Sequence, residues 1–320
     1  MQDRAGTGAR DDRYGGAMEG GVEGGVEGGV EGGVGGLWPN ASKAASVITA
    51  SGLFPMFEEM DAWLPDPLPF VTGGRFPEGA WDPSLRAEVV LAEFAARVNW
   101  REHDPGEPPR PGQPGYEADM KAQIEGLLRL RARRATRLSE IGAQADGLGA
   151  WWTQLVQARA GRPHTATLIA AAMLVGRMVG LHWKWHYQAP RPAQVFPALM
   201  PVLATPGHAG YPSNHALQSY LVAATLRQLF AEAGVPFGRG VAGEPDLLER
   251  LAYRIAENRE VAGVHFQRDS DAGRRIATAI SGAFLALPAM RALLCAAGKE
   301  WEGCGTSTAR AFLKTARPGA

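Results

Sequence analysis

Apolar side chains recur at spacings of three and four residues along much of this chain, and this periodicity constrains the fold more than any other feature. The most apolar of these stretches lies within residues 165–187. Spacings of three and four place side chains on one face of an α-helix, whereas a half-buried strand alternates with a period of two. No strong period-two stretch is present. The chain is therefore predicted to be all-α, with helical patterns over residues 83–98, 118–145, 150–160, 165–187, 214–233, 244–258 and 269–287.

The overall composition is that of an ordinary globular protein. The 320 residues are 45% hydrophobic, which is enough for a sizeable core. Lysine and arginine together number 33, as do aspartate and glutamate, so the formal net charge is zero. No general attraction to nucleic acid or to an anionic membrane is therefore expected. The longest apolar stretches are interrupted by Arg177, Pro288 and Arg291, so no membrane span is predicted.

Four parts are predicted along the chain. Residues 1–36 form a glycine-rich tail, in which the tetrad Glu-Gly-Gly-Val occurs four times in tandem, and this composition predicts disorder. Residues 37–116 form an N-terminal segment that wraps on the core and ends in a proline-rich linker; residues 117–300 form a helical domain, and residues 301–320 a C-terminal tail. The N-terminus lacks the continuous apolar stretch of a secretory signal, so a cytoplasmic location is expected.

A run of arginines marks the first part of the helical domain. Its members are Arg129, Arg131, Arg133, Arg134 and Arg137. Such a run fits either an anion site or a solvated helix face. The solvated face is favoured, because it is the commoner reason for charges that alternate with apolar residues on a helix.

The first of three segments that carry chemistry runs from Lys184 to Pro192. Lys184 and Arg191 are seven residues apart, about two helical turns, which would bring both cations to the same side of a helix. Pro190 and Pro192 are expected to end that helix. Lysine supplies a point charge and arginine a planar fork, and this pair suits a group with several equivalent oxygens.

The second segment is Pro212-Ser213-Asn214-His215, which precedes an apolar helical pattern. Proline followed by serine predicts a helix N-terminus with Ser213 as its N-cap. A helix N-terminus presents N–H groups and a positive dipole to an anion. Alone, the segment fits an ordinary capped helix with a surface histidine at least as well.

The third segment runs from Asn258 to Asp269. His265 and Asp269 are four residues apart, so on a helix the carboxylate can accept the imidazole N–H and leave the other ring nitrogen as a nucleophile or ligand. Arg259 precedes His265 by six residues, so on one continuous helix their side chains would point to different faces. Gly263 is therefore interpreted as a break that turns both side chains inward.

In order and spacing, the three segments resemble the signature of one superfamily. It comprises type 2 phosphatidic-acid phosphatases, bacterial class A acid phosphatases and vanadium haloperoxidases. Its signature is Lys-x6-Arg-Pro, then Pro-Ser-Gly-His, then Ser-Arg-x5-His-x3-Asp. The resemblance extends over residues 184–269. It implies an all-α helical bundle of the acid phosphatase and haloperoxidase type.

Two positions depart from this signature. Asn214 stands where the superfamily has glycine, whose backbone N–H contacts the oxyanion. Asparagine tolerates left-handed backbone better than other non-glycine residues, so we expect that contact to survive. Asn258 replaces the serine before the arginine, a position to which we assign no direct chemical role.

The phosphatase branch implies a mechanism through phosphohistidine. His265 would be the nucleophile and Asp269 the residue that orients it, while His215 would protonate the leaving group and then activate water. No metal or other cofactor is implied, and the expected partner is a soluble phosphomonoester; relatives often form homodimers. The oxyanion would be bound by the remaining motif residues, which are Lys184, Arg191, Ser213, Asn214 and Arg259.

The haloperoxidase branch is the alternative. It implies vanadate as cofactor, bonded to His265, and oxidation of halide by hydrogen peroxide. His208, five residues before Ser213, is similar to a histidine of algal bromoperoxidases and would lie on the halide or substrate side. Haloperoxidases tend to have an aromatic residue before the final aspartate, whereas the segment with Arg268 resembles acid phosphatases. The phosphatase is therefore favoured.

A third hypothesis is a non-catalytic protein that binds an anion or a metal. His182 and His186 are four residues apart around Lys184 and would meet a metal on one helix face. No neighbouring acidic or cysteine motif completes such a site. These two histidines are therefore interpreted as core residues or as residues that support the site from behind.

Overall fold

The structure is a computed structural model that describes residues 76, 80–158, 161–237 and 246–302. These residues form ten α-helices and three short 3₁₀ turns, with no strand among them. The all-α prediction is therefore confirmed. The glycine-rich tail, most of the N-terminal segment up to the first described helix, and residues 303–320 lie outside the described part of the chain.

Helices follow one another with short connections. The first half of the described chain contributes α1 (Pro83–Arg97), α2 (Tyr116–Leu130), α3 (Arg134–Asp146), α4 (Leu148–Leu155) and α5 (Pro163–Tyr187). The second half contributes α6 (Pro192–Val195), α7 (Asn214–Glu232), α8 (Leu247–Ala262), α9 (Gln267–Leu285) and α10 (Pro288–Lys299). The 3₁₀ turns are Trp100–Glu102, Arg131–Arg133 and Pro197–Leu199.

Helix α7 is the centre of the bundle. It packs against α5, α8 and α9, and α5 packs in turn against α1 and α10. Leu221 of α7, Ile169 of α5 and Phe284 of α9 are fully buried in the shared core, which continues to Trp301. Both α5 and α7 are buried on nearly every side, because a helix without a broad polar face is stable only when other helices surround it.

The apolar helix α5 is the part of the described chain that most resembles a membrane span. By length and composition the segment Pro163–Val195 is apolar enough to cross a membrane, and α9 with α10 would qualify only as a pair bent by 84°. However, 72% of the apolar window in the first segment is buried inside the protein. Burial among the other helices therefore accounts for its apolar composition.

The continuous helical pattern predicted over residues 118–145 is wrong, because a 3₁₀ turn divides it into α2 and α3. Two other helix ends differ from the prediction by more than three residues. Helix α8 continues past the predicted end at Asn258 and stops at Gly263, whose φ of 82° is left-handed. The break predicted at Gly263 is thus confirmed, but the polar residues 257–260 before it are helical and buried. Helix α4 ends at Leu155 instead of residue 160, because Gln157 adopts left-handed backbone with a φ of 49°.

The arginine run lies where a 3₁₀ turn separates α2 from α3. Arg129 and Arg131 are exposed, as a solvated face predicts. Arg137 pairs with Glu257 of α8, and Arg134 donates to backbone carbonyls at the end of α8 and in the 3₁₀ turn after α6. The solvated-face prediction is therefore wrong for Arg134 and Arg137, because a local charge pattern does not reveal long-range partners.

The proline-rich segment between α1 and α2 is a loop, as predicted. Two tyrosines fix it to the bundle. Tyr211 Oη donates to the carbonyl oxygens of Pro105 at 3.1 Å and Gly106 at 2.9 Å, and Tyr187 Oη donates to Asp104. Since Tyr187 is the last residue of α5, the loop is held beside the C-terminal end of that helix.

Candidate active site

The three sequence segments meet at one end of the bundle. Helix α5 ends there, α7 begins there, and the turn between α8 and α9 lies beside both. The structure brings together the motif residues, and none of them is more than 1% exposed. They are Lys184, Arg191, Ser213, Asn214, His215, Arg259, His265 and Asp269.

Lys184 lies on the last turn of α5, and its ammonium group reaches the loop before α7. The Nζ atom donates to the carbonyl oxygens of Ala209 at 3.0 Å and Gly210 at 2.9 Å. Carbonyl acceptors satisfy N–H groups without cancelling the positive charge, and a buried charge is costly unless it is compensated. Lys184 therefore contributes positive potential to the site.

Arg191 lies beyond the end of α5, at the N-cap of α6. The prediction that two helical turns bring it beside Lys184 is therefore wrong. The helix ends at Tyr187, since Gln188 adopts left-handed backbone with a φ of 50°. The two cations meet instead through the loop before α7, because Arg191 Nε donates at 3.0 Å to the carbonyl of His208, next to the two carbonyls that hold Lys184.

Ser213 caps the N-terminus of α7, as predicted. Its Oγ accepts the N–H of Ala216 at 3.4 Å, and its own N–H donates to the backbone oxygen of Asp269 at 2.9 Å. The positive end of α7 therefore faces the site. Asn214 is the first helical residue and is not among the residues with positive φ, so the left-handed backbone considered for it is not used.

His265 and Asp269 form the predicted pair. Imidazole Nδ1 lies 3.1 Å from Asp269 Oδ2, which also accepts the N–H of Phe266 at 3.0 Å. His265 precedes α9, which begins at Gln267, so the pair forms across the helix N-terminus rather than along one helix face. With Nδ1–H donated to the carboxylate, Nε2 carries the lone pair. Nη1 of Arg191 lies 3.2 Å from that nitrogen.

Helix α3 supplies a further wall of the site. Arg259, on the last turn of α8, donates from Nη2 to the carbonyl of Ile141 at 2.7 Å. His215 Nε2 lies 3.3 Å from the carbonyl of Gln144. Because a carbonyl only accepts, this contact makes Nε2 the donor nitrogen of the His215 ring. One helix therefore positions both a cation and the second histidine.

Sequence reasoning missed the residues that hold α3 against α8. Asn258 Nδ2 donates to Glu140 Oε1 at 2.8 Å and to Gln144 Oε1 at 2.9 Å, and Arg254 pairs with Glu140 at 2.7 Å. Asn258 is fully buried next to Arg259. It therefore holds α3, whose carbonyls contact Arg259 and His215, against α8. The available signal was the spacing of four between Glu140 and Gln144, which places two polar side chains on one helix face.

His208 also belongs to the site. Its Nδ1 lies 3.1 Å from Nη2 of Arg191, and its carbonyl accepts from Nε of the same side chain. The ring is therefore within contact of a cation that in turn contacts His265. The assignment of His208 to the halide or substrate side stays a prediction.

The other histidine pair, His182 and His186, lies in an aromatic cluster, but His186 is exposed, so the core position predicted for it is wrong. Both rings pack edge-on against Trp183, with ring centroids 4.9 Å and 5.7 Å away. Burial lowers the pKa of His182, which favours its neutral form. Within the described ranges no group of three or more side chains could hold a metal ion.

A cleft of about 230 Å³ opens beside the buried site. Its walls include the proline-rich loop, Tyr116, Tyr187, Pro190 and Arg268. Pro190 and Arg268 each directly precede a motif residue in the chain. The cleft is therefore lined by the chain neighbours of two motif residues, Arg191 and Asp269.

Neither a protein-family model nor a curated protein matches this chain. Among solved structures, the chain matches a crystal structure described as the first bacterial vanadium-dependent iodoperoxidase. The sequence identity is 17%, the match covers 77% of this chain and 69% of that chain, and the TM-score is 0.44.

Proposed function

We propose that this chain is a phosphoric-ester hydrolase of the superfamily that its motifs resemble, acting through a phosphohistidine at His265 without a metal. The observation that carries the proposal is the placement of His265 Nε2. Asp269 holds the ring at its other nitrogen, and Nε2 lies 3.2 Å from Arg191. A nucleophile that is oriented by a carboxylate and directed into a cationic pocket suits attack on the phosphorus of a phosphate ester.

Binding of the phosphoryl group is assigned to three cations and a helix end. Lys184 comes from α5, Arg191 from the start of α6 and Arg259 from α8, and all three are buried. The hydroxyl of Ser213 and the first N–H groups of α7 add neutral donors. Charges and dipoles aimed at the equatorial oxygens stabilise the negative charge as the phosphoryl group transfers.

The first step transfers the phosphoryl group to the enzyme. His265 Nε2 attacks phosphorus while the bond from phosphorus to the ester oxygen breaks. His215 gives a proton to the leaving alkoxide, so an alcohol departs. Asp269 keeps the Nδ1 proton hydrogen-bonded and stabilises the positive charge on the phosphorylated ring. Because Nε2 of His215 is bound to the carbonyl of Gln144, Nδ1 is assigned as the nitrogen that exchanges the proton.

The second step returns the enzyme to its starting state. His215, now neutral, takes a proton from water as the water oxygen attacks phosphorus. The bond from phosphorus to His265 breaks, and inorganic phosphate leaves. One ester and one water thus give one alcohol and one phosphate, and both histidines regain their original protonation.

The substrate is proposed to be a soluble phosphomonoester with a compact alcohol. The cleft beside Pro190 and Arg268 measures about 230 Å³, which is smaller than a typical site for a drug-sized ligand. A leaving group of about one ring suits this volume and its partly apolar walls. A long-chain lipid alcohol does not.

A vanadate-dependent haloperoxidase is the second candidate, and the position of His208 beside Arg191 favours it. The residues fit vanadate, because it is a tetrahedral oxyanion like phosphate and Nε2 of His265 is directed into the same pocket. When bound, vanadate would supply the oxidation of halide by hydrogen peroxide. The motif cations would hold its oxygens as they would hold those of phosphate. Arg268, before the aspartate, still favours the phosphatase.

Two assays on the purified chain test the proposal. One measures hydrolysis of 4-nitrophenyl phosphate with a metal chelator present, and the other measures bromide oxidation by hydrogen peroxide after vanadate is added. We expect ester hydrolysis that is insensitive to the chelator. We also expect vanadate to inhibit it, because vanadate competes for the same cations.

Each other outcome selects another hypothesis. Bromide oxidation without ester hydrolysis would establish the haloperoxidase. Binding of phosphate or vanadate with neither reaction would leave the non-catalytic anion-binding protein. Absence of both binding and turnover would reject all three.

A further inference from the structure

The side chain of Asn214 has no hydrogen-bond partner in the described structure. Neither its amide oxygen nor its amide nitrogen makes a hydrogen bond to a described residue, and the residue is 0% exposed. A buried amide without partners destabilises a protein, and such groups are rare unless a ligand or water satisfies them. This loss of stability arises at position 214, where the chain has asparagine and the resembled signature has glycine.

Gly180 of α5 makes room for this amide. A Cβ atom built at Gly180 would lie 1.9 Å from Oδ1 of Asn214 and 2.9 Å from its Cγ. Any side chain at position 180 would therefore displace the amide. Gly180 is four residues before Lys184 on the same helix, so the amide lies against the face of α5 that carries the cation.

A neighbouring pair on the same two helices shows what a purely structural amide does. Gly176, one turn before Gly180, similarly faces Gln218, one turn after Asn214. The Gln218 amide donates to the carbonyl of Met173 at 2.9 Å. The amide of Gln218 is thus bound to α5, whereas the amide of Asn214, at the end of the helices that forms the site, makes no such bond. Packing of α5 on α7 therefore does not explain why position 214 carries an amide.

We propose that the Asn214 side chain is an additional ligand of the bound oxyanion, with Nδ2–H donating to one of its oxygens. Oδ1 is the atom nearest the Gly180 notch, which leaves Nδ2 on the side away from it. Asn214 is the first residue of α7, and helical side chains tilt toward the N-terminus, here toward the site. This inference rests on the proposed function, because it uses the same anion pocket.

Binding of inorganic phosphate and of monomeric vanadate, measured by calorimetry, tests the inference without turnover. Asn214→Ala and Asn214→Gly both remove the amide. Hydrogen bonds to charged groups are among the stronger ones, so we expect each variant to lose roughly 10-fold to 100-fold in affinity. Glycine at this position matches the resembled signature, so Asn214→Gly decides the test should the alanine variant fail to fold.

A pair of glycine substitutions separates ligand loss from helix packing. Gly180→Ala keeps the asparagine but drives its amide out of the notch, and we expect the affinity to fall as in Asn214→Ala. Gly176→Ala is the matched control, because its new Cβ would lie 2.9 Å from Cγ of Gln218 on the same helix pair. We expect this control to bind both anions with wild-type affinity.

Three outcomes would overturn the inference. Wild-type affinity in both Asn214 variants would show that the side chain only packs. An equal loss in Gly176→Ala and Gly180→Ala would assign the effect to helix packing. Failure of the wild type to bind either anion would reject the proposed function itself, and the role of Asn214 with it.

Discussion

At the scale of single residues, the site depends on how buried charges are held. Asp269 fixes the tautomer of His265 through Nδ1, at 3.1 Å. Backbone carbonyls hold Lys184, Arg191 and Arg259. Contacts of this kind orient a charge without neutralising it, which the proposed stabilisation of a transferring phosphoryl group requires.

Replacing Asp269 with asparagine tests the first of these contacts. The amide keeps the shape of the carboxylate but removes the charge that stabilises the phosphorylated ring in the proposed mechanism. We expect kcat for 4-nitrophenyl phosphate to fall by roughly 10²-fold to 10⁴-fold, with little change in the Kd for phosphate.

The matched control is Asp271→Asn, which removes the same charge from an exposed position of the same helix. We expect this control to retain the wild-type rate. A near-normal kcat in Asp269→Asn would contradict the role given to the carboxylate.

The sequence predicts which side chains meet in the candidate site better than it predicts their hydrogen-bond partners. Motif order and spacing identify His265, Asp269 and the three cations, because those residue types are recognisable wherever they stand. The partners of Lys184 are the carbonyls of residues 209 and 210. Every residue type has a carbonyl, so the sequence carries no signal for such contacts.

At the scale of helices, close packing of α9 on α7 sets the position of Ser213. A Cβ atom at Gly273 would lie 2.5 Å from the backbone oxygen of Ser213 and 2.9 Å from the backbone nitrogen of Leu217. Backbone atoms cannot move aside without shifting the helix. The absence of a side chain at position 273 therefore fixes where the N-terminus of α7 lies.

Gly273→Ala is accordingly expected to displace the start of α7. We expect the free energy of unfolding to fall by roughly 1–3 kcal/mol and the affinity for phosphate to fall with it. Gly282→Ala on the same helix is the control, because a Cβ there meets nothing within 4 Å.

The control should be neutral or stabilising by about 0.5–1 kcal/mol, since alanine is the better helix former. Urea unfolding of both variants measures the difference. Equal changes in stability would show that contact between α9 and α7 does not constrain the site.

Local periodicity predicts most helices of the described chain, but it does not predict the hydrogen bonds that join α3 to α8. Asn258 bonds to Gln144 across 114 positions of sequence, and no local pattern encodes a contact at that distance. The helix end at Tyr187 agrees with the predicted pattern, but the loop contacts that bring Arg191 near Lys184 beyond that end are not encoded locally. The arrangement of elements thus depended on tertiary contacts that single-sequence patterns lack.

At the scale of the whole molecule, one buried carboxyl couples folding to pH. Burial raises the pKa of Glu260 to about 7 from its ordinary value of 4.5. The folded chain therefore keeps this proton at pH values where the unfolded chain has released it. Stability from this group is present below pH 4.5 and is lost as the pH rises through about 7. Glu140, whose pKa is lowered by its hydrogen bond from Arg254, titrates below this range.

Glu260→Gln removes this dependence, because an amide does not ionise. Between pH 5.5 and pH 8 we expect the wild type to lose roughly 2 kcal/mol of unfolding free energy through this group, and the variant to lose correspondingly less. Urea unfolding at the two pH values measures the slope. Glu88→Gln, at an exposed position on α1, should keep the wild-type slope. The same slope in all three proteins would contradict the assigned pKa.

The phosphohistidine itself is the most direct test of the proposed chemistry. Turnover of ³²P-labelled 4-nitrophenyl phosphate is stopped in alkali, and the labelled peptide is mapped by mass spectrometry. We predict an alkali-stable, acid-labile label on His265. We also predict no label and no turnover in His265→Ala, which should still bind phosphate, more weakly. Ester hydrolysis with no label on His265, or normal turnover in His265→Ala, would contradict the account.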